Sequence, residues 1–456
     1  MNRLLKLSKV CVAIIEMSLL PEPDALRPPP PLDSPHIGVG LKGFEAPSSE
    51  GMDAVPVLFD PASRVFRQER CATYERMRKA DPVHWCESIN AWVLFGHRTI
   101  ADFLRSSNTH VQAPDPLQEL MDSLTPEPLR VFQHHMLLFL DAPDHPRMRG
   151  LVQKAFSPKA VEVIRDAFNR KVVGTMERWR PGQVVDVIDE VALPLPMATI
   201  CELLGVPFVD HHLFRTWGFD VNRVIDIPLP IETVAIAAEG AGNMIAYLAK
   251  VVDGRARSDP GDDLLGALIS AEVEGDRLSR DELIATAALL LIAGHDTTVS
   301  LLGNMVHSLL THADQLQLVR ADRTLIPGTV EEVLRFESPL QMATGGGRYV
   351  RASVLLEGKQ IDAGARVYVM LGSANRDPAA FENAERFDIS RTGNRHMAFG
   401  KGMHFCLGAG LARMEAHVAL GELLDRTESI ELVDEAPQWR DFVPLRQLEH
   451  LHVRVT

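Results

Sequence analysis

The residue with the most chemistry in this sequence is a single cysteine in a glycine-rich loop. Cys406 closes the run Met397-Ala398-Phe399-Gly400-Lys401-Gly402-Met403-His404-Phe405-Cys406, and Gly408 and Gly410 lead on into a helical pattern over 411–424. Glycines allow a tight loop with backbone angles that other residues avoid. The loop should deliver the thiol to a helix N-terminus, where the helix dipole and unpaired N–H groups lower its pKa and hold it as thiolate. A thiolate suits a soft metal, and one cysteine alone fits a single axial bond to haem iron better than a zinc cage, which needs three or four ligands. The bland alternative is a small buried hydrophobe. A second candidate is Gly294-His295-Asp296-Thr297-Thr298, which interrupts an apolar run. A mid-helix glycine costs about 1 kcal/mol and the hydroxyls can bond back to the preceding turn. So unfavourable a local choice points to a site; a kinked core helix is the competing reading.

The elements that must position these residues are mostly helical. Ser279 and Glu282 form a capping box ahead of the apolar run 283–292, predicting a long, buried helix that carries Asp296 and Thr297. Helical periodicity dominates from Leu58 onward, and strand-like runs are confined to 83–95 and 348–369. No repeat and no linker interrupts 58–456, so a single domain over 56–456 is expected. Residues 1–55, rich in proline, are expected to be a disordered tail. Gly38-Val39-Gly40-Leu41-Lys42-Gly43 matches a dinucleotide fingerprint but lacks the preceding strand and following helix, so no nucleotide is assigned to it. Met52 stands where the globular pattern begins and could be the natural start.

Composition excludes several classes. A net charge of −14 argues against a nucleic-acid binder. Five scattered cysteines argue against a disulfide framework and for a reducing, cytoplasmic location. The N-terminal apolar stretch, uncharged only over 10–15, is far below the ~20 residues of a membrane span, so no membrane is expected. There is no GxSxG elbow, HExxH or P-loop. His134 and His135 are adjacent and do not share a helix face, which leaves them without a metal-binding spacing.

Phe399-Gly400-x-Gly402-x-His404-x-Cys406-x-Gly408 resembles the haem-binding signature of the cytochrome P-450 family in its bacterial form. Other segments follow in that family's order. Ala293-Gly294-His295-Asp296-Thr297-Thr298 resembles its oxygen-activating distal helix, Glu332-Val333-Leu334-Arg335 its ExxR helix, and Ala384-Glu385-Arg386-Phe387-Asp388 the segment whose arginine joins that pair. ExxR also occurs at Glu75–Arg78 and Glu177–Arg180, read as solvated helix faces. His145 and Arg149, one turn apart, resemble the family's HxxxR helix. Arg348 falls where its strand arginine lies, ten residues before Gly358, while Arg147 and Lys401 read as surface charges.

The resemblance implies a mainly α, triangular-prism cytochrome P-450 fold with small β-sheets and with haem b (iron protoporphyrin IX) between distal and proximal helices. It implies a soluble haem-thiolate monooxygenase that hydroxylates or epoxidises a lipophilic small molecule with O2. Cys406 would be the axial iron ligand, with Phe399 and Gly408 in the loop, and His145, Arg149, Arg348 and His404 would bind the propionates. Asp296 and Thr297 would deliver protons, and Gly294 would leave room for dioxygen. Ala293, Leu340, Met342, Ala343, Thr344, Phe442 and Val443 would line the substrate pocket; Glu332, Arg335 and Arg386 would form a structural network. The 50 residues after Cys406 are too few for a fused reductase, so electrons are expected from a ferredoxin and its reductase, and the protein is expected to be a monomer. A non-catalytic haem sensor and a peroxide-driven or rearranging haem enzyme are the alternatives. The Asp296-Thr297 pair discriminates against both.

Overall fold

The computed structural model describes residues 59–155, 158–261, 263–271, 275–343, 346–433, 436 and 438–456. The tail 1–55, its Gly38–Gly43 motif and Thr344 lie outside them, and Asp60–Thr456 forms one compact unit.

Eight helices set up the site: α1 (Arg70–Ala80), α2 (Asp144–Ala155), α3 (Pro194–Leu203), α4 (His211–Asn222), α5 (Glu232–Arg257), α6 (Arg280–Thr311), α7 (Ile326–Phe336) and α8 (Ala409–Arg426). The capping box forms as the sequence predicts: the Ser279 side chain accepts from the Glu282 N–H, and Glu282 accepts from the Ser279 N–H in return. It satisfies two otherwise orphaned donors at the start of a 32-residue helix. Prolines 194 and 327 stand in the first turns of α3 and α7, where a missing N–H costs nothing.

The strands are β1 (Val83–Cys86), β2 (Ala91–Leu94), β3 (Thr109–His110), β4 (Val184–Asp186), β5 (Arg348–Val350), β6 (Val354–Leu356), β7 (Lys359–Ile361), β8 (Arg366–Val369), β9 (Ile430–Leu432) and β10 (His452–Val455). They pair as a five-stranded sheet in the order β1-β2-β8-β5-β3, a three-stranded sheet β4-β10-β9 and the β6-β7 hairpin. Among the described residues only β2 and β8 pair in parallel; β5 lies antiparallel to β8 with Arg348 opposite Val367.

The apolar interior is divided. One cluster takes Leu283, Ile284, Leu291 and Ile292 from α6 and Leu411 and Met414 from α8. A second takes Val299, Leu302, Met305 and Leu309 from α6 and Ala419, Leu420 and Leu423 from α8. The polar run 294–298 therefore occupies the seam between two cores, where burial of its flanks outweighs its poor helix propensity. α6 is long and apolar enough to cross a membrane, but 67% of its most apolar window is buried inside the protein.

Candidate active site

The cysteine loop is held by its own backbone. Gly400 N–H donates to the Met397 carbonyl at 2.9 Å, Phe405 N–H to Gly402 at 3.1 Å and Cys406 N–H to Phe399 at 3.0 Å. Asn375 Oδ1 accepts the Met397 N–H at 2.7 Å, fastening the loop to the chain beyond β8. Gly402 has φ +73°, and a Cβ there would stand 2.1 Å from the Leu104 carbonyl oxygen, so no other residue fits without moving that backbone. The Phe399 ring is covered by the Arg413 guanidinium, 4.5 Å from its centroid, and Gly408 is the residue before α8.

Cys406 has open surface, yet burial is the strongest influence on its thiol. Burial pushes the thiol pKa up; the Gly408 N–H, Arg149 and Arg413 pull against it and do not win. The sequence leads to the expectation of a thiolate held by the helix dipole and unpaired N–H groups; desolvation of the charge outweighs one N–H and two nearby cations, and a bond to a metal would favour the ionised sulfur.

Basic residues from three elements converge beside the sulfur. Within α2, His145 is buried and Arg149 half-buried and within electrostatic reach of Cys406; β5 contributes buried Arg348 and the loop contributes His404. The His145 and His404 rings are 4.3 Å apart, and His145 Nδ1 and His404 Nε2 are buried without a hydrogen-bond partner. Burial and then the charges of Arg348, His145 and Arg149 push His404 down to about 2. Burial and Arg149 push His145 down to about 4, and burial pushes Arg348 down to about 10. Asp141 is the carboxylate that opposes these shifts at His145 and Arg348, but its oxygens already accept N–H bonds from Val111 and Gln112. Two arginine cations beside two neutral imidazoles with orphaned buried nitrogens fit a bound dianion, which the two propionates of haem would supply. Arg147, in contrast, is turned toward Asp276 and Glu282.

On α6 an open stripe runs through half-buried Leu290, exposed Ala293 and half-buried Thr297, while Ile292, His295 and Thr298 are buried. Thr297 Oγ1 donates to the Ala293 carbonyl at 2.8 Å and Thr298 Oγ1 to Gly294 at 3.1 Å. A Cβ on Gly294 would lie 2.8 Å from Ile200 Cδ1 on α3. That methyl is the end of a flexible side chain and can move aside, so Gly294 lies where α6 approaches α3 without being required there. Asp296 Oδ2 accepts from Asn222 Nδ2 of α4 at 2.8 Å, and Oδ1 lies 3.1 Å from His295 Nδ1. His295 Nε2 lies 3.1 Å from the Leu193 carbonyl. Burial would raise the Asp296 pKa, but the His295 and Asn222 contacts overcome it and hold the carboxyl below its ordinary value. Neither Asn222 nor the orienting role of His295 was visible in sequence, because α4 reaches α6 from 74 positions away.

Glu332 and Arg335 form the expected bidentate pair, Nε to Oε2 and Nη2 to Oε1, both at 2.8 Å. Arg386 does not join it as a side chain: it is exposed and contributes its carbonyl, which accepts from Arg335 Nη2 at 3.0 Å. The second guanidinium is that of Arg391, 3.2 Å from Glu332 Oε2, helped by the Asp388 N–H and Asn394 Nδ2. A chain turn after 386 aims Arg391 inward, and no spacing rule anticipates that. Of the other ExxR sites, Glu177 and Arg180 are solvated, but Arg78 is half-buried, bonds to Ser373 and pairs with Glu385.

The expected pocket residues separate. Ala293 is exposed and Leu340 and Phe442 are half-buried, so these can face a ligand. Met342, Ala343 and Val443 are buried in packing: Met342 bridges Met370, Ala343 donates to Val369 O and Val443 donates to Asp226. His134 is exposed and pairs with Asp122. A residue missed entirely is Glu415 of α8, buried at the seam between the two cores, whose pKa burial pushes up to about 8.

The sequence profile of the family "Cytochrome P450" matches residues 243–439. Cytochrome P450 107B1 of Saccharopolyspora erythraea is 40% identical over 413 residues, covering 87% of this chain and 97% of the relative. The 6-deoxyerythronolide B hydroxylase of the same organism is 34% identical, covering 89% and 100%. The crystal structure of P450BioI in complex with hexadec-9Z-enoic acid ligated acyl carrier protein superposes with a TM-score of 0.80 at 32% identity, covering 86% of this chain and 99% of that one. With this fold around a cysteine loop of this kind, the chain belongs to the cytochrome P450 family. It is a bacterial-type haem-thiolate monooxygenase that, with electrons from redox partners, inserts one oxygen atom from O2 into a lipophilic small molecule.

Proposed function

We propose that Cys406 would supply the thiolate that holds the iron of a haem b, that His145, Arg149, Arg348 and His404 would bind its propionates, and that Asp296 and Thr297 would govern proton delivery from α6. The observation that carries this reading is the convergence of four basic side chains beside the cysteine with two buried ring nitrogens unpartnered. Haem bound here supplies oxygen activation and atom transfer. The protein's own residues do the rest. The Gly408 N–H, Arg149 and Arg413 favour the ionised sulfur. Thr297 has committed its proton to the Ala293 carbonyl, so its lone pairs can accept from water on the open stripe. Asp296, ionised and one residue back, can take up and release a proton there. Glu332, Arg335 and Arg391 hold the chain that leads into the loop. The single domain 56–456 is the working unit, monomeric and cytoplasmic, served by a ferredoxin and its reductase.

For the substrate, the relative named as a 6-deoxyerythronolide B hydroxylase, the P450BioI complex with a fatty acyl chain and the CYP109E1 complex with testosterone support a bulky lipophilic molecule of the macrolide, steroid or fatty-acyl kind. Substrate-induced spectral shifts across those classes should select one.

The central test is spectroscopic. Reduced protein with carbon monoxide should show the thiolate-ligated Soret band. Cys406→Ser should lose it, while replacing Cys71, Cys86 or Cys201 should not; retention of the band in Cys406→Ser would overturn the assignment.

A further inference from the structure

A second cluster of ligating side chains lies on the three-stranded sheet. Asp186 ends β4, directly opposite His452 in the antiparallel register with β10. His450 precedes His452 by two residues, so along the extended chain the two rings emerge on one side. Val453 and Val455 alternate with this face and are buried, as is Val185 beside Asp186, which turns all three polar side chains outward. One donor atom from each of Asp186, His450 and His452 lies within 4.8 Å of the other two.

The carboxylate is already oriented. Asp186 Oδ1 accepts the backbone N–H groups of Ile188 at 2.9 Å and Leu451 at 3.0 Å, and Oδ2 faces His450 Nδ1 at 2.6 Å. The two imidazoles lie nearly parallel, 18° between planes and 5.8 Å between centroids, so rotations about their side-chain bonds can bring a nitrogen of each to one point. Asp189 and Glu449 add negative field at His450. Backbone bonds that fix a ligating carboxylate are the outer-shell support that metal sites use.

We propose that Asp186, His450 and His452 bind one divalent transition-metal ion of the zinc type, with a fourth position left to water, and that the ion cross-links the C-terminal strand β10 to β4. Two imidazoles and a carboxylate are a donor set that zinc accepts at about 2.0–2.2 Å, and imidazole ligation disfavours magnesium and calcium. The site is built from residues outside the cysteine loop and does not depend on haem.

The test uses the full, haem-loaded chain, stripped with a chelator and titrated with Zn2+ by calorimetry, beside His450→Gln and His452→Gln. Asp186→Ala is avoided because its carboxylate also holds two backbone N–H groups. Wild type should show one site that each variant weakens by at least the roughly 10–100-fold that loss of even an outer-shell partner costs. Zn2+ should also slow amide exchange at Val453 and Val455 in wild type and not in the variants. Equal zinc stoichiometry and affinity in wild type and both variants, or unchanged exchange of β10 on zinc addition, would overturn the proposal.

Discussion

The imidazoles of His145 and His404 sit 4.3 Å apart, one from a helix and one from the cysteine loop, each with a buried nitrogen that no protein group satisfies. Two neutral rings beside Arg149 and Arg348 make an arrangement that an anionic ligand would complete.

Arg348→Ala should therefore loosen haem without changing the ligand to iron. A charge-assisted hydrogen bond contributes roughly 1.5–3 kcal/mol, so haem affinity should fall by about 10–100-fold while the carbon monoxide Soret position stays put. Titration of apoprotein with haem measures the first and the reduced spectrum the second. An unchanged affinity removes Arg348 from the propionate site.

The network around Glu332 separates two arginines. Arg391 is nearly buried and bonds Glu332, whereas Arg386 is exposed and lends only a carbonyl. Arg391→Ala should cost about 1–3 kcal/mol in denaturant unfolding, and Arg386→Ala should stay within about 0.5 kcal/mol. The reverse order would restore Arg386 as the network's side chain.

Thr297→Ala should still bind substrate and accept electrons, since neither step needs the hydroxyl. Product per reducing equivalent should fall, with hydrogen peroxide accounting for the difference, because a positioned proton-transfer group no longer serves the productive branch. Thr298, buried and bonded to Gly294, should matter less. The assay needs a substrate without a hydroxyl near the oxidised carbon. Undiminished coupling in Thr297→Ala would return this stretch of α6 to the role of a kinked core element.

Glu415 sets a pH dependence. Its buried carboxyl, hydrogen-bonded to Thr199, has a pKa pushed from 4.5 up to about 8, so the native state holds a proton that the unfolded chain has released. Its stabilising effect is complete below about 4.5 and is lost as pH rises through about 8. Glu415→Gln mimics the protonated acid and should gain stability relative to wild type across that window, with a slope approaching ~1.4 kcal/mol per pH unit. Parallel stability–pH curves for the two proteins would show that Glu415 is ionised in the fold.

Sequence alone determined what is written in short spacing. The cysteine loop, the capping box at Ser279 and the Glu332–Arg335 pair each draw their partners from within a few residues, and each forms as expected. Tertiary structure decided everything that depends on what arrives from far along the chain. Asn222 reaches Asp296 from another helix, Ile200 packs beside Gly294, and a turn of backbone chooses Arg391 over Arg386. Burial, which no local pattern measures, raises the Cys406 thiol against its helix terminus and keeps Glu415 protonated. The reason is common to these cases: a hydrogen bond within a turn is a property of a few residues, whereas desolvation and packing are sums over every neighbour that the fold brings in.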